Sequence, residues 1–266
     1  RRLHQFVDIM VFPITKIALI LSLLIAVGCS GKAADPTEGM SAVELYTKAR
    51  EFVDSGSYTQ AIEYYEILES RYPFGDYATQ AKLDVAYAYY LYDEPESATA
   101  AADRFIKLHP RHPSVDYAYY LKGLINFGLK SNIVDKVYTR DLADYDQSIM
   151  QQSYNDFSIL VNRFPDSIYT KDAIKRMVYL RNQMARAEIK IARYYLSRRA
   201  WVAAANRAKN LLQRYQGSDS VKTALQIQML AYQQLELTDL AADTRRVLVY
   251  NYGDEAANIT LQELSS

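Results

Sequence analysis

The segments QAIEYYEILESRYP (residues 60–73) and SATAAADRFIKLHP (residues 97–110) share one frame, in which an alanine stands twelve positions before a proline. The alanines are Ala61 and Ala98. The frame returns with substitutions three times further along the chain, at residues 153–165 with Ser153 for the alanine, and at 204–216 and 241–253 with Gln216 and Gly253 for the proline. We call the last residue of each frame its end position. Another alanine stands eight residues after each of the first four end positions, as Ala81, Ala118, Ala173 and Ala224. Small residues at fixed spacing mark places where helices approach closely, so the pattern indicates a repeated helical unit.

The length of the unit favours stacked helical hairpins. Two of the four intervals between end positions are 37 residues, from 73 to 110 and from 216 to 253. The first repeat resembles the tetratricopeptide repeat, because its small, aromatic and proline positions fit that motif in order: Ala49, Phe52, Ala61, Tyr65 and Pro73. We therefore predict an all-α fold, a superhelix of about five tetratricopeptide-like hairpins with one long central helix.

The other two intervals are longer, at 55 and 51 residues, and predict insertions. Residues 130–147 carry many charges with a weak apolar period, which is typical of a surface excursion. Between Ser167 and Arg199 no Gly or Pro interrupts the chain, so the extra residues there predict one helix of about thirty residues. The expected organisation is repeats 1–3 over residues 41–166, then the long helix with repeats 4–5 over residues 167–266.

The single cysteine, Cys29, excludes an intramolecular disulfide framework. It follows a positive segment and an apolar run that is short for a membrane span. The string AVGC resembles a bacterial lipoprotein processing site, with an uncleaved signal anchor and a chance match as alternatives. This predicts a signal peptide over residues 1–28, a lipid on Cys29 as the only covalent group, and a flexible tether over residues 29–40.

Sequence patterns of catalysis are missing. His109 and His112 stand three apart, but Pro110 and Pro113 break the helix that would align them, so we predict a turn and no metal site. The chain has no G-x-S-x-G elbow and no glycine-rich phosphate loop. We expect no enzymatic activity and no cofactor.

Charge and tyrosine are the features that point to binding. Residues 167–217 contain twelve Lys and Arg against Asp172 and Glu188, although the whole chain has 31 of each sign. This basic block is either a solvated helix face or a dock for an acidic protein surface. Nucleic acid is not an expected partner, because an exported chain would not normally meet it. The 24 tyrosines are mostly expected in the repeat core, with some lining a groove that receives peptides.

Five strings carry a more specific resemblance: RYPFG (71–75), LDVAYAYY (83–90), DRFIKLHPRHPSVDY (103–117), TKDAIKRMVYL (170–180) and RRAWVAAANR (198–207). Together with Cys29 they resemble the BamD family, the repeat lipoproteins of the outer-membrane β-barrel assembly machinery. The resemblance implies a scaffold anchored at the periplasmic face of the outer membrane of a Gram-negative bacterium. The implied partners are a POTRA-containing barrel protein, companion lipoproteins and unfolded outer-membrane proteins. Other repeat lipoproteins, a pilotin for a secretin or a scaffold for cell-wall enzymes, remain open.

The resemblance also implies site residues. Those expected at the POTRA contact are Arg198, Arg199, Trp201 and Arg207, and those expected in a substrate groove are Tyr72, Phe74, Tyr89 and Tyr90. On this basis Arg207→Glu should weaken the partner complex without unfolding the protein, and Cys29→Ala should leave a soluble periplasmic protein that still binds its partner.

Overall fold

The computed structural model describes residues 35–127 and 147–265, which include eleven α-helices and no strand. The helices are α1 (Ala42–Asp54), α2 (Tyr58–Arg71), α3 (Asp76–Tyr92), α4 (Pro95–Leu108), α5 (Val115–Phe127), α6 (Gln147–Arg163), α7 (Thr170–Ser197), α8 (Trp201–Arg214), α9 (Val221–Gln234), α10 (Thr238–Tyr252) and α11 (Leu261–Ser265). A 3₁₀ turn, Asp254–Ala257, follows α10. The predicted all-α class is confirmed.

The first ten helices pair into five hairpins, from α1 with α2 to α9 with α10. Each helix packs against its successor, and the odd-numbered helices also pack on one another, α1 on α3 and so on to α9. Within the described residues no comparable contact joins two even-numbered helices. Helices of one layer approach each other on the inner side of a curved stack, so the odd-numbered helices form the inner layer of this repeat unit.

The alanines of the sequence frame lie at helix contacts. Six of them have no exposed surface: Ala61, Ala98, Ala118, Ala173, Ala204 and Ala224. Where the third repeat has serine, the Ser153 hydroxyl donates to the Gly123 carbonyl oxygen across 2.9 Å. A Cβ at Gly123 would overlap the buried Phe157 ring, so the ring on α6 packs directly against the backbone of α5. The small residues are therefore required by close packing.

Four hairpins turn in the same way. The turning residue is left-handed in each: Gly56 (φ 77°), Asp93 (φ 72°), Arg199 (φ 56°) and Glu236 (φ 58°). The next N–H then reaches back to an aromatic residue's carbonyl five positions earlier, as from Ser57 to Phe52 and from Ala200 to Tyr195, at 2.8 and 2.9 Å. This bond closes the helix in a Schellman-type cap. Of these four described turns, only the first uses glycine, the residue that adopts this backbone without strain.

The long helix is confirmed as α7, with 28 residues against 14 in α8. Side chains from α5 to α9 and from α11 share one hydrophobic core, to which α7 contributes Leu180, Met184, Ile189 and Leu196. The short α11 packs back on α7 and α9. Because α7 belongs to the core along most of its length, it joins the third, fourth and fifth hairpins.

The chain divides into two units, Arg1–Ser41 and Ala42–Ser266. In the first unit, the last part of the predicted tether contains a turn, with the Glu38 N–H donating to the Asp35 carbonyl at 3.0 Å. The predicted signal segment, Cys29 and residues 130–146 of the predicted insertion lie outside the described residues. Among the described helices, none has both the length and the apolar character needed to cross a bilayer.

Candidate functional site: a partner-binding surface

The basic block folds into α7, α8 and the turn between them. Arg199 holds the left-handed turn, and its N–H donates to the Leu196 carbonyl at 2.9 Å. Arg198 lies just before it, with its guanidinium carbon 5.5 Å from the centroid of the Tyr194 ring, a cation–π distance. Arg198, Arg199 and Tyr194 are exposed. The turn therefore presents two cations and an aromatic ring to solvent.

Trp201 is the first residue of α8, and its contacts are mainly those of a core-packing residue. It is partly buried and packs against the core that α7 helps to form. From Trp201 to Arg207 the rise along α8 is about 9 Å, so Arg207 stands apart from the turn. The four residues expected at the partner contact thus share one hairpin, but they do not converge on a single pocket.

Arg207 is held by a buried acid. Its Nη1 lies 3.3 Å from Oε2 of Glu188 on α7, and Asn210 Nδ2 donates to Oε1 of the same carboxylate at 3.1 Å. The Glu188 side chain is 4% exposed and the Arg207 side chain 41%. A buried carboxylate needs a compensating charge or hydrogen bonds. Arg207 therefore stabilises the hairpin while part of its guanidinium remains available at the surface.

This pairing revises the expectation for Arg207→Glu. The substitution would place a second carboxylate beside Glu188, so we expect it to cost stability as well as partner binding. Sequence reasoning found Arg207 and missed Glu188. The two lie nineteen positions apart, and only the register of α8 on α7 brings them together.

Most of the cations in the basic block lie at the surface of the folded protein. Three of its arginines pair with acids: Arg176 with Asp172, Arg186 with Asp219, and Arg207 with Glu188. Other members are exposed, among them Lys171, Lys175, Lys209 and Arg214. A surface with this balance favours an acidic partner over a basic one.

The four residues expected in the substrate groove occupy three different places. Phe74 is 90% exposed in the turn before α3, beside the half-buried Tyr72. Tyr89 and Tyr90 lie about 20 Å away at the other end of α3. The Tyr89 hydroxyl donates to Glu66 Oε1 on α2 at 2.6 Å, whereas the Tyr90 ring stacks on Tyr87, with centroids 6.3 Å apart.

A row of aromatic side chains on the inner-layer helices is the larger feature, and the sequence strings did not single it out. Tyr120 stacks on Tyr169 with centroids 4.8 Å apart, and Tyr117 lies 5.4 Å from the same ring. The Tyr120 hydroxyl donates to Asp172 at 2.6 Å, and Arg176 bonds the same carboxylate. Burial raises the pKa of Asp172, but these two hydrogen bonds outweigh burial and leave it lowered. The row ends at the ion pair between Asp172 and Arg176.

The signal for this row was present in the sequence. Tyr87 and Tyr90 are three apart on α3, and Tyr117 and Tyr120 are three apart on α5, a spacing that puts each pair on one helix face. Burial raises the pKa of Tyr90, and the nearby charge of Arg176 opposes that rise. Arg176 of α7, which bonds Asp172, thus also lies close enough to Tyr90 of α3 to influence its pKa.

The two histidines, His109 and His112, both pack against the ring of Phe105. His109 and His112 lie 5.3 and 5.2 Å from the buried Phe105, measured between ring centroids. Burial, and then the charges of Lys82 and His112, lower the pKa of His109. Within residues 35–127 and 147–265, no group of three His, Cys, Asp or Glu side chains is arranged to hold a metal ion.

These features define a helical repeat protein whose exposed charges and aromatic rows are suited to binding other proteins. The family model described as "YfiO: Outer membrane lipoprotein" matches residues 38–248. The outer membrane protein assembly factor BamD of Neisseria gonorrhoeae is 44% identical over 236 residues, covering 89% of this chain and 88% of that protein. The chain belongs to this BamD (YfiO) family of outer membrane lipoproteins.

More distant relatives cover the chain equally well. The BamD protein of Vibrio cholerae serotype O1 is 36% identical over 232 residues, covering 87% of this chain and 96% of that protein. That of Haemophilus influenzae is 34% identical over 238 residues, covering 90% of each. Both are named outer membrane protein assembly factors.

Proposed function

We propose that this chain is a lipid-anchored scaffold of outer-membrane protein assembly at the periplasmic face of the outer membrane. The names of its relatives, assembly factors of Gram-negative bacteria, support that role and make it an accessory of assembly. The pilotin and cell-wall alternatives are not favoured, because relatives that match most of the chain carry the assembly name. The anchor would be a lipid on Cys29.

The hairpin of α7 and α8 is the dock for the POTRA region of the barrel-forming subunit. The observation that carries this assignment is Arg207, an arginine oriented by a buried carboxylate and still partly exposed. An arginine fixed in this way loses little conformational freedom when a partner carboxylate binds it. The exposed pair Arg198 and Arg199 extends the positive surface at the turn.

The aromatic row on the inner layer is the surface for unfolded outer-membrane proteins. Tyrosine rings offer area at low entropic cost and accept many apolar side chains, as a receptor of varied substrates needs. Of the residues expected in the groove, Tyr90 belongs to this row. The exposed Phe74, beside the half-buried Tyr72, forms a separate position at the α2–α3 turn, suited to a companion lipoprotein.

The test is recovery of the barrel protein from outer membranes in mild detergent, using three chains. Glu188→Gln/Arg207→Gln removes the cation together with its buried acid, and Lys209→Gln removes an exposed cation from the same helix as a control. We expect the first variant to recover much less barrel protein and the control to match the native chain. Recovery of a secretin or a murein hydrolase in its place would overturn the proposed function.

The anchor is tested separately with Cys29→Ala. This variant should appear in the soluble periplasmic fraction and still recover the barrel protein when the two are mixed. Loss of binding would mean that Cys29 does more than attach the chain to the membrane.

A further inference from the structure

The N-terminal half of α7 extends beyond the helices that cover its C-terminal half. The α8–α9 turn meets α7 near its middle, where the Asp219 N–H donates to Asn182 Oδ1 at 3.3 Å and the Asp219 carboxylate pairs with Arg186. From Leu180 back to Thr170, about 15 Å of helix continues past this contact. On its other side this half contacts α5, where the Tyr120 hydroxyl donates to Asp172.

Exposed aliphatic side chains follow one face of this segment. Ile168, just before α7, is 83% exposed, and Ile174 and Val178 are 45% and 41% exposed. Lys171 and Lys175 fall between them at steps of three and four, so the four residues within α7 share one face and Ile168 precedes them in the turn. We name this face, residues 168, 171, 174, 175 and 178, the α7 stripe.

The stripe is positive as well as apolar. Lys171 and Lys175 are both exposed. The only acid between residues 167 and 187 is Asp172, which points to α5 and is bonded by Tyr120 and Arg176. An apolar line flanked by cations complements a segment that has apolar side chains flanked by Asp or Glu.

A protein segment fits this face better than a lipid surface does. Membrane binding by a helix requires bulky side chains that reach 5–10 Å into the bilayer boundary, commonly Trp, Phe or Leu. Ile174 and Val178 are about half covered by their own helix and its neighbours, so they form a flat patch. A flat patch with a cationic border is typical of a protein interface.

We propose that the α7 stripe is a second docking surface, one that binds an acidic, partly apolar segment of a protein in the assembly complex. It is distinct from the Arg207 dock, because Val178 lies about 15 Å along α7 from Glu188, the residue that holds Arg207. The protein thus presents two contacts of like charge, one on the N-terminal half of α7 and one on α8 beside the C-terminal half of α7.

A photo-crosslinking side chain at position 178 tests the proposal in the full-length chain, in complex purified from outer membranes. The matched control carries the crosslinker at Lys209, which is exposed on α8 and away from the stripe. We expect position 178 to join one co-purifying protein at a segment with Asp or Glu beside apolar residues, and position 209 to give a different product or none.

Lys171→Glu/Lys175→Glu supplies the second arm. Like charges facing each other cost several kcal/mol, so the adduct at position 178, measured per complex recovered, should fall at least about tenfold. Both lysines are exposed, and circular dichroism melting checks that the variant remains folded. The amount of barrel protein recovered, which depends on the Arg207 dock, is measured in the same sample. A failure of the stripe can therefore be distinguished from a failure of the proposed dock.

Any of four results would overturn the proposal. They are an adduct to lipid, an adduct to another part of the same chain, an adduct to a segment without acids, and an adduct that survives the charge reversal or never forms.

Discussion

Replacing Arg207 should change stability and partner binding together, and the structure shows how to separate the two effects. Arg207→Glu removes the cation that faces Glu188 and adds a second carboxylate in its place. Breaking a fully buried ion pair costs about 3–5 kcal/mol. Because the Arg207 side chain is 41% exposed and Asn210 still bonds Glu188, the loss here is smaller, about 1–2 kcal/mol.

The added repulsion makes up the rest. Two like charges about 4 Å apart at a partly solvated site interact by about 1–4 kcal/mol. The total is about 2–6 kcal/mol. A protein of this size loses about 2–4 °C of Tm per kcal/mol, so Arg207→Glu should melt roughly 4–24 °C lower.

The double variant Glu188→Gln/Arg207→Gln separates the two effects. Two neutral amides can hydrogen-bond each other, and replacing a buried ion pair by neutral groups is often nearly neutral in stability. We expect this variant to melt close to the native chain and still to lose the barrel protein. Melting is followed by circular dichroism, and binding by recovery from outer membranes. Native-like melting of Arg207→Glu would show that the pair contributes nothing in solution, and full recovery by the double variant would show that Arg207 is not a contact.

Three further perturbations probe the scaffold. Gly123→Ala should lower Tm, because the new methyl group overlaps the Phe157 ring at a cost of about 1–3 kcal/mol, and added Phe157→Leu should restore part of the loss. Glu236→Gly should raise stability by about 1 kcal/mol by relieving a left-handed residue (φ 58°); an unchanged or lower Tm would contradict that account. Burial, and to a smaller extent a hydrogen bond to a carboxylate, raises the pKa of Tyr46, Tyr89 and Tyr120 to about 12. The stability that these three protonated tyrosines contribute should be fully present below pH 10 and should decline as the pH rises from 10 to 12. In a pH titration of the folded protein, their phenolate absorbance should appear at a higher pH than that of an exposed tyrosine.

The hairpins were predictable because their signal is local. A helix that must approach its neighbour closely needs a small residue at a fixed distance from its end, and Ala61, Ala98 and Ala204 satisfy this rule with no exposed surface. The long helix was predictable for a similar reason, since uninterrupted sequence between Ser167 and Arg199 left no place for a turn. Both inferences use spacing along one helix, which the sequence records directly.

The site was less predictable because its geometry depends on contacts between helices. Tyr89 and Tyr90 are neighbours in a string shared with the family, yet successive residues on a helix point about 100° apart. One therefore meets Glu66 on α2, while the other stacks with Tyr87 in the inner layer. Likewise, the partner of Arg207 could not be inferred from the sequence, because it depends on the packing of α8 against α7.

The unequal lengths of α7 and α8 connect the architecture to the proposed role. In a regular hairpin the second helix covers the first, and a docking surface exists only at its edges. Here α7 has twice the residues of α8, so its C-terminal half builds the core with α8 and α9 while its N-terminal half leaves the α7 stripe open. A continuous helix packed into one core resists bending between its ends. Two protein segments bound at the stripe and at Arg207 would therefore be held at a fixed separation. In a scaffold made of equal short helices, no single helix would be long enough to fix that separation.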